Sequence, residues 1–321
     1  MFGELPKLFD RNFAVGFFLP VAIFITLSGW VLSQYSFGPD IGIYLETNLL
    51  IGTTILGVSS WVGGIVLLAI NRDLYRLMEG YGTYNPLKIF TWLEKWRFHR
   101  ITNNLEKLDD EYRECIAAKK EFPEKSRTKR NQIMRQLAEE FPDKEEYILP
   151  TPFGNVLRSF EIYPRYMYGL DSIDAWGRLL AVIPKDYLEL IDAAKSQVDF
   201  WVNLGLAFIL LLIEYEALAM GTGTPINIWI IILLIALGTI APIRATSSAR
   251  EWGDFIKSAF DVHRFKLLES LGVETPKNRE EEKALWIKYS QAIIYRLPDA
   301  LPELKNASSD SKQKRINRLR K

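Results

Sequence analysis

Two carboxylates interrupt an apolar stretch of this chain. The segment LLIEYEALAM, Leu211 to Met220, places Glu214 and Glu216 among residues that otherwise suit lipid. A charge at mid-membrane costs on the order of 3 kcal/mol, so such groups are typical of ion pathways and water-filled cavities. Residues two apart on a helix point about 200° apart, so at least one carboxylate should face other helices or water. Alternatively, both groups reach the headgroup layer, beside Tyr215 in an aromatic belt.

A second cluster of unusual residues occupies the segment from Ile148 to Pro184. Its pattern predicts two short helices joined by a tyrosine-rich elbow, with Asn155 and Asp171 as N-caps. Ion pairs are expected three or four residues apart, between Arg158 and Glu161 and between Asp174 and Arg178. Since caps and pairs account for the polar residues, a structural elbow is favoured over a ligand or partner site, and catalysis is the weakest alternative. The candidate residues are Asn155, Arg158, Glu161, Tyr168, Asp171, Trp176 and Arg178.

The remaining reactive residue types are few. Cys115 is the only cysteine, and the two histidines, His99 and His263, lack metal-ligand spacing. The sequence carries no glycine-rich phosphate loop and no nucleophile elbow. We therefore predict no catalytic residue, no metal site and no cofactor. The basic run with interleaved aromatics, NPLKIFTWLEKWRFHR, is short, so no nucleic-acid partner is expected.

The apolar residues are concentrated in four blocks, although the mean hydropathy of the whole chain is only −0.01. The blocks are Phe13 to Leu32, Asn48 to Ile70, the run after Asp199 that ends near Met220, and Ile226 to Ile243. About 20 apolar residues suffice for a membrane-spanning helix. The pattern therefore predicts four spans, with the lipid bilayer as a partner of the chain.

Lys and Arg lie on one side of these spans. The link SQYSFGPDIGIYLET between the first two spans and the turn GTGTP between the last two contain neither residue type. Basic residues flank the opposite ends, for example Lys7, Arg11, Arg72, Arg76, Lys185, Lys195, Arg244 and Arg250. The positive-inside rule predicts a multi-pass protein of the cell inner membrane, with both termini and the long middle segment in the cytoplasm.

The expected fold is all-α, with four transmembrane helices arranged as two pairs and a helical cytosolic domain. Residues 1–80 form the first transmembrane hairpin with a cytosolic extension, and residues 81–184 form a cytosolic helical insert. The second transmembrane hairpin covers residues 185–245, and further cytosolic helices cover 246–304. The basic tail at 305–321 is predicted to be disordered.

Three stretches resemble a widespread group of bacterial four-span membrane proteins: NRDLYRLMEGY, LPTPFGNVLRSFEIYPRYMYGLDSIDAWGRL and FDVHRFKLLESLGVETPKNREEEKALW. The middle stretch carries the motif LPTxxGNVLRxxExYxxxxYGLDxxxxWxRL. The resemblance implies a membrane location and brings no catalytic or binding residue with it. In layout alone, the chain is also similar to flagellar stator and TolQ-type proton-channel subunits, an analogy without a shared motif.

These features favour a homo-oligomeric channel or pore gated by its cytosolic helices. The carboxylates of the third span point to it, as do the small-residue pairs Ser59/Gly63 and Ser60/Gly64, which permit close helix contact. The alternative is a membrane-anchored adaptor or scaffold that binds a cytosolic protein through its helical insert. The third hypothesis is an enzyme at the membrane interface, and only carboxylates without an assigned role support it.

The predicted topology can be tested with single cysteines on a Cys115→Ser background. Asp40→Cys should react with a membrane-impermeant maleimide added outside intact cells, because it follows the first span. Lys125→Cys should react only after the membrane is permeabilised, since it lies in the lysine- and arginine-rich middle segment. Labelling of position 125 from outside, or protection of position 40, would contradict this topology.

Overall fold

The computed structural model describes residues 10–33, 35, 49–82 and 84–302, and these fold into helices without a strand. The helices are α1 (Arg11–Ser33), α2 (Leu49–Glu79), α3 (Thr91–Ala117), α4 (Glu124–Glu140), α5 (Pro152–Tyr168), α6 (Ser172–Leu180), α7 (Lys185–Thr222), α8 (Ile228–Ser270) and α9 (Arg279–Ile294). The all-α prediction is confirmed. The predicted tail at 305–321, Lys7, Asp40 and most of the link between the first two spans lie outside the described residues.

Four helices are long and apolar enough to cross a membrane: α1, α2, α7 and α8. They match the four predicted blocks, but α7 and α8 extend well beyond them, with 38 and 43 residues. At about 1.5 Å per residue, both helices exceed the roughly 30 Å of a hydrocarbon core. Their charged ends therefore continue the apolar parts as uninterrupted helix.

Local sequence signals set several helix ends. Helix α2 ends at Glu79, and Gly80 follows with a φ of 88°, a conformation that glycine adopts without strain. Helix α9 begins with a capping box, in which the Asn278 side chain accepts from the Glu281 N–H at 2.8 Å. The Glu281 carboxylate in turn accepts from the Lys277 N–H at 2.9 Å.

The chain divides into two compact units. The first, here the membrane unit, comprises Met1–Ile89, Thr151–Gly154 and Asp192–Trp252. The second, here the polar unit, comprises Phe90–Pro150, Asn155–Ile191 and Gly253–Lys321. Helices α7 and α8 contribute residues to both units, so the boundary falls inside continuous helices rather than in linkers.

The membrane unit contains an apolar layer of four buried side chains: Leu204, Phe208 and Leu211 of α7, and Leu234 of α8. Ile23, Phe24 and Leu27 of α1 pack against it. Leu211 is completely buried, at 0% exposure. This layer joins three of the four candidate spans.

The small residues of α2 are used within this chain. A Cβ added to Gly63 would lie 2.6 Å from Cγ1 of Val21, and one added to Gly64 would lie 3.0 Å from Phe13. Ser60, one turn earlier, is fully buried. The expected close helix contact is present, but its partner is α1 of the same chain. These pairs therefore do not favour an oligomer.

Hydrogen bonds at the start of helix α5 correct the predicted role of Asn155. Helix α5 begins at Pro152, and Thr151 Oγ1 accepts from the Gly154 N–H at 2.9 Å, so Thr151 takes the capping position. Asn155 is wholly buried one turn into the helix. Its side chain bonds both the N–H and the C=O of Leu149, at 2.7 and 3.0 Å, and donates to Glu94 at 2.9 Å.

The glycine contacts predict a difference between two otherwise similar substitutions in α2. Gly63→Ala should destabilise the folded monomer by about 1–3 kcal/mol, because the added methyl group must displace Val21. Gly57→Ala should be neutral or stabilising, since its Cβ meets nothing within 4 Å and alanine favours the helix. Thermal unfolding in detergent micelles measures both, and equal effects would contradict the proposed α1–α2 contact.

Candidate functional site

Glu214 is held within the bundle of the membrane unit. Its Oε1 accepts a hydrogen bond from Ser28 Oγ of α1 at 2.7 Å, and the residue is half-buried. Next to it, Tyr215 is buried, lies edge-on to Tyr35 and accepts from the Asn227 N–H at 2.8 Å. The hydrogen bond from the Ser28 hydroxyl satisfies one oxygen of the Glu214 carboxylate, in a region where hydrogen-bond donors are scarce. Glu214 therefore has a defined partner helix.

Glu216 lies on a different side of α7 and is exposed. The structure therefore separates the two carboxylates as expected for a helix with about 3.6 residues per turn. Only Glu214 is drawn into the packed bundle, while Glu216 lies on its surface. The surface position is available to headgroups or to another chain.

A second acidic site was not predicted from the sequence, where Asp199 served only to mark the start of the third span. Its side chain is 5% exposed and pairs with Lys195 Nζ at 2.8 Å. Oδ1 also accepts from Asn71 Nδ2 at 3.0 Å and from the Tyr75 hydroxyl at 2.8 Å. A buried carboxylate needs such donors because its desolvation is costly. Asn71, Tyr75, Lys195 and Asp199 form what we call the Asp199 cluster.

Asn203, one turn beyond Asp199, extends the polar stripe of α7 towards α1. The residue is 1% exposed, and its Nδ2 donates to the main-chain oxygen of Gly16 at 2.8 Å. Gly16 lies in a π-helical turn, Ala14–Phe18, which departs from the regular α-helical hydrogen-bond pattern. A Cβ on Gly16 would lie 3.1 Å from Cβ of Asp199, so glycine permits this close approach.

The apolar layer separates the two polar ends of the third span. Asn203 and Glu214 are eleven residues apart, about 16 Å along the helix at about 1.5 Å per residue. Between them Phe208 and Leu211 are buried, together with Leu204 and with Leu234 of α8. The membrane unit thus contains two polar half-sites, the Asp199 cluster with Asn203 and the Ser28–Glu214 pair, with apolar packing between them.

Four buried polar atoms on α2 and α7 lack a hydrogen-bond partner within the described part of the chain. They are Ser60 Oγ, Asn71 Oδ1, Asn203 Oδ1 and Glu214 Oε2. Buried polar atoms in proteins are normally satisfied, by protein groups or by water or ions. Three of the four belong to residues of the two half-sites. Water or a cation would be stabilised at these positions.

The elbow residues lie in the polar unit and have mainly packing and capping contacts. Asp171 caps α6 as predicted, accepting from Ile173 N–H at 3.2 Å, and the Arg158–Glu161 pair is present at 3.4 Å. Arg178 donates to the main-chain oxygen of Asp174, in place of the expected carboxylate pair. Trp176 packs against Phe260, with ring centroids 5.9 Å apart.

The tyrosines of the elbow are helical, contrary to the prediction of a separate turn rich in tyrosine. Helix α5 runs on to Tyr168, and Gly169 then makes the turn with a φ of 81°. The Tyr168 hydroxyl donates to Asp261 Oδ1 at 2.6 Å, and Tyr163 donates to the same carboxylate at 3.1 Å. Burial, followed by the Asp261 carboxylate, raises the pKa of Tyr168 and of Tyr163.

Burial also raises the pKa of Glu161, with a smaller contribution from Asp171 in the same direction and an opposing one from Arg158. Sequence reasoning found the elbow residues because caps and ion pairs are local patterns. It missed the Asp199 cluster because Asn71 and Tyr75 lie more than 100 positions away. The spacing Lys195, Asp199, Asn203 was the available signal, since residues four apart share a helix face.

The pairing of Asp199 predicts a non-additive response to mutation. Lys195→Met should lower the free energy of unfolding by about 2 kcal/mol, because it leaves a buried carboxylate without its cation. Adding Asp199→Asn should recover part of this loss, since the charge is then removed as well. A double-mutant cycle by thermal unfolding in micelles measures the coupling, and strictly additive losses would contradict it.

Comparisons with protein-family models, with curated proteins and with solved structures find no match to this chain. The resemblance noted from the sequence therefore stays an expectation.

Proposed function

We propose that this membrane protein conducts cations, with the third span providing the polar groups of the route. The observation that carries the proposal is the set of four buried, unpartnered polar atoms on α2 and α7. Such atoms stabilise water or a cation that reaches them, and side chains of this kind in spans are typical of ion and proton pathways. The carboxylates of Asp199 and Glu214, one in each half-site, favour cations over anions.

The apolar layer makes the described conformation a closed one in this proposal. Hydrophobic constrictions gate channels by excluding water, and Leu204, Phe208, Leu211 and Leu234 form a packed layer between the half-sites. Conduction then requires this layer to part or to become hydrated. Gating by the helical insert and the homo-oligomeric state, both expected from the sequence, stay predictions. Exposed Glu216 is the residue that an assembly would bring to an interface or to a shared pore.

A membrane-anchored adaptor remains the second candidate because of a separate feature of the polar unit. Trp92 and Trp96, one turn apart on α3, are 69% and 52% exposed. Large exposed aromatics on one helix face are typical of interaction surfaces. The guanidinium of Arg100 lies 5.4 Å from the ring of Trp96 and extends this face. A cytosolic protein partner would be expected there.

Conductance of purified protein in planar bilayers tests the channel proposal. Leu211→Ser should raise conductance at least several-fold over the wild type, because it places a polar group in the otherwise dry layer. Leu210→Ser is the matched control, since this neighbouring leucine is 43% exposed on the surface of the same helix. It should leave conductance unchanged.

In the Leu211→Ser background, Glu214→Gln should lower the preference for cations over anions, measured as a shift in reversal potential under a salt gradient. Asp199→Asn should do the same from the other half-site. If folded Leu211→Ser protein conducts no more than Leu210→Ser, the channel proposal fails and the adaptor becomes the better hypothesis. Unchanged selectivity in a conducting Glu214→Gln, Asp199→Asn variant would remove the carboxylates from the route.

A further inference from the structure

A groove of about 600 Å³ opens on the membrane unit beside the Asp199 cluster. Its lining includes three cationic side chains, Arg72, Arg76 and Lys195, and three aromatic ones, Tyr75, Tyr81 and Trp252. Leu68 forms an apolar part of the wall, one turn before Arg72 on α2. The groove therefore combines positive charge, aromatic rings and an apolar wall in a space large enough for a small organic group.

The two arginines supply the charge that a ligand would meet. They are four residues apart on α2, so they share a helix face, and both are exposed. Lys195 also lines the groove, but Asp199 neutralises it at 2.8 Å. Glu79 adds one negative group to the lining. The ionisable groups that line the groove still carry a net positive charge, and Arg72 and Arg76 supply it.

The position of the groove along α2 indicates which class of anion fits it. Leu68 belongs to the apolar part of this candidate span, whereas Arg72 and Arg76 belong to its charged end. A ligand that fills the groove therefore meets apolar surface at one end and guanidinium groups at the other. Tyrosine and tryptophan rings favour the interfacial layer of a membrane, where phospholipid headgroups lie. Arginine binds phosphate oxygens with paired N–H donors.

We infer that this groove binds the phosphate of an anionic phospholipid, with Arg72 and Arg76 donating to the phosphate oxygens and the acyl chains leaving past Leu68. The groove shares Asn71, Tyr75 and Lys195 with the Asp199 cluster, but the proposed phosphate contacts, Arg72 and Arg76, are not part of the conduction route. A soluble phosphate compound would bind the two arginines in the same way, but it has no acyl chain to contact the apolar wall. Lipid and free phosphate are therefore distinguished by experiment.

Native mass spectrometry of the purified full-length protein in detergent provides the test. Phosphatidylglycerol, phosphatidylcholine or inorganic phosphate is added at matched concentrations, and the bound fraction is measured. The wild type should retain phosphatidylglycerol well above phosphatidylcholine. The double variant Arg72→Gln, Arg76→Gln should weaken this binding about tenfold, the loss expected for about 1.4 kcal/mol of phosphate contact.

Two further variants separate a specific site from general electrostatics. Arg113→Gln, Arg127→Gln removes the same two charges from exposed positions of the polar unit and should leave lipid binding unchanged. Arg72→Lys, Arg76→Lys keeps the charge but loses the paired donors, so it should bind with intermediate affinity and confirm that the fold tolerates change here.

The outcomes are distinct. Loss of phosphatidylglycerol in the Arg72, Arg76 glutamine variant alone supports the site. Binding of inorganic phosphate as tightly as the lipid, with the same arginine dependence, would overturn the lipid assignment and leave a soluble phosphate ligand. Equal lipid binding by the groove variant and the control variant would overturn the site itself. Conductance is not a readout here, so failure of the channel proposal leaves this result interpretable.

Discussion

The burial of the Asp199 carboxylate is the constraint on which the membrane unit depends. An ionised carboxylate taken out of water requires a cation and hydrogen-bond donors, and α7 itself supplies only Lys195. The other two donors, Asn71 and Tyr75, come from α2. Their geometry fixes the axial register of α2 against α7. Gly16 is required in the adjacent turn of α1 because a side chain there would press against Asp199.

The axial register set at the Asp199 cluster also fixes the Ser28–Glu214 pair, because the parallel helices α1 and α7 connect the two half-sites. Asn203 bonds the Gly16 carbonyl, and Glu214 bonds Ser28. The steps between these contacts are eleven residues on α7 and twelve on α1, about 16 and 18 Å at the same rise per residue. The two helices therefore stay nearly in step. Once Gly16 is placed beside Asn203, Ser28 lies beside Glu214. No further contact is needed to bring Ser28 and Glu214 together.

The parts of this fold that could be predicted are those encoded locally. Span positions follow from apolar runs, and the caps at Asp171 and Asn278 follow from short-range patterns. Asn155 was assigned a cap for the same reason. Its actual partners include Glu94, 61 positions away, and no local pattern could indicate that contact. The Asp199 cluster was missed on the same grounds, since a charge at the edge of an apolar run is indistinguishable from a boundary until its partners are known.

The same distinction explains why Glu214 can be recognised from the sequence and Asp199 cannot, although Asp199 is the more deeply buried. An acidic residue inside an apolar run is visible to any reading of hydropathy, whereas one at the end is not. The structure gives the two carboxylates comparable roles, each held by partners from another helix and each next to unpartnered buried atoms. The buried polar residues of α7 therefore lie at two positions along the helix, one at Asp199 and one at Glu214.

The apolar layer and the unpartnered atoms oppose each other energetically, and their sizes are similar. Exposing four large apolar side chains to water costs roughly 1.5–3 kcal/mol each. Satisfying a buried polar atom gains about 1–3 kcal/mol, and four such atoms lie on α2 and α7. Neither term exceeds the other by much, so a dry and a hydrated form of the route would differ by only a few kcal/mol. A difference of that size can be reversed by a modest input, such as a ligand that binds one form better than the other.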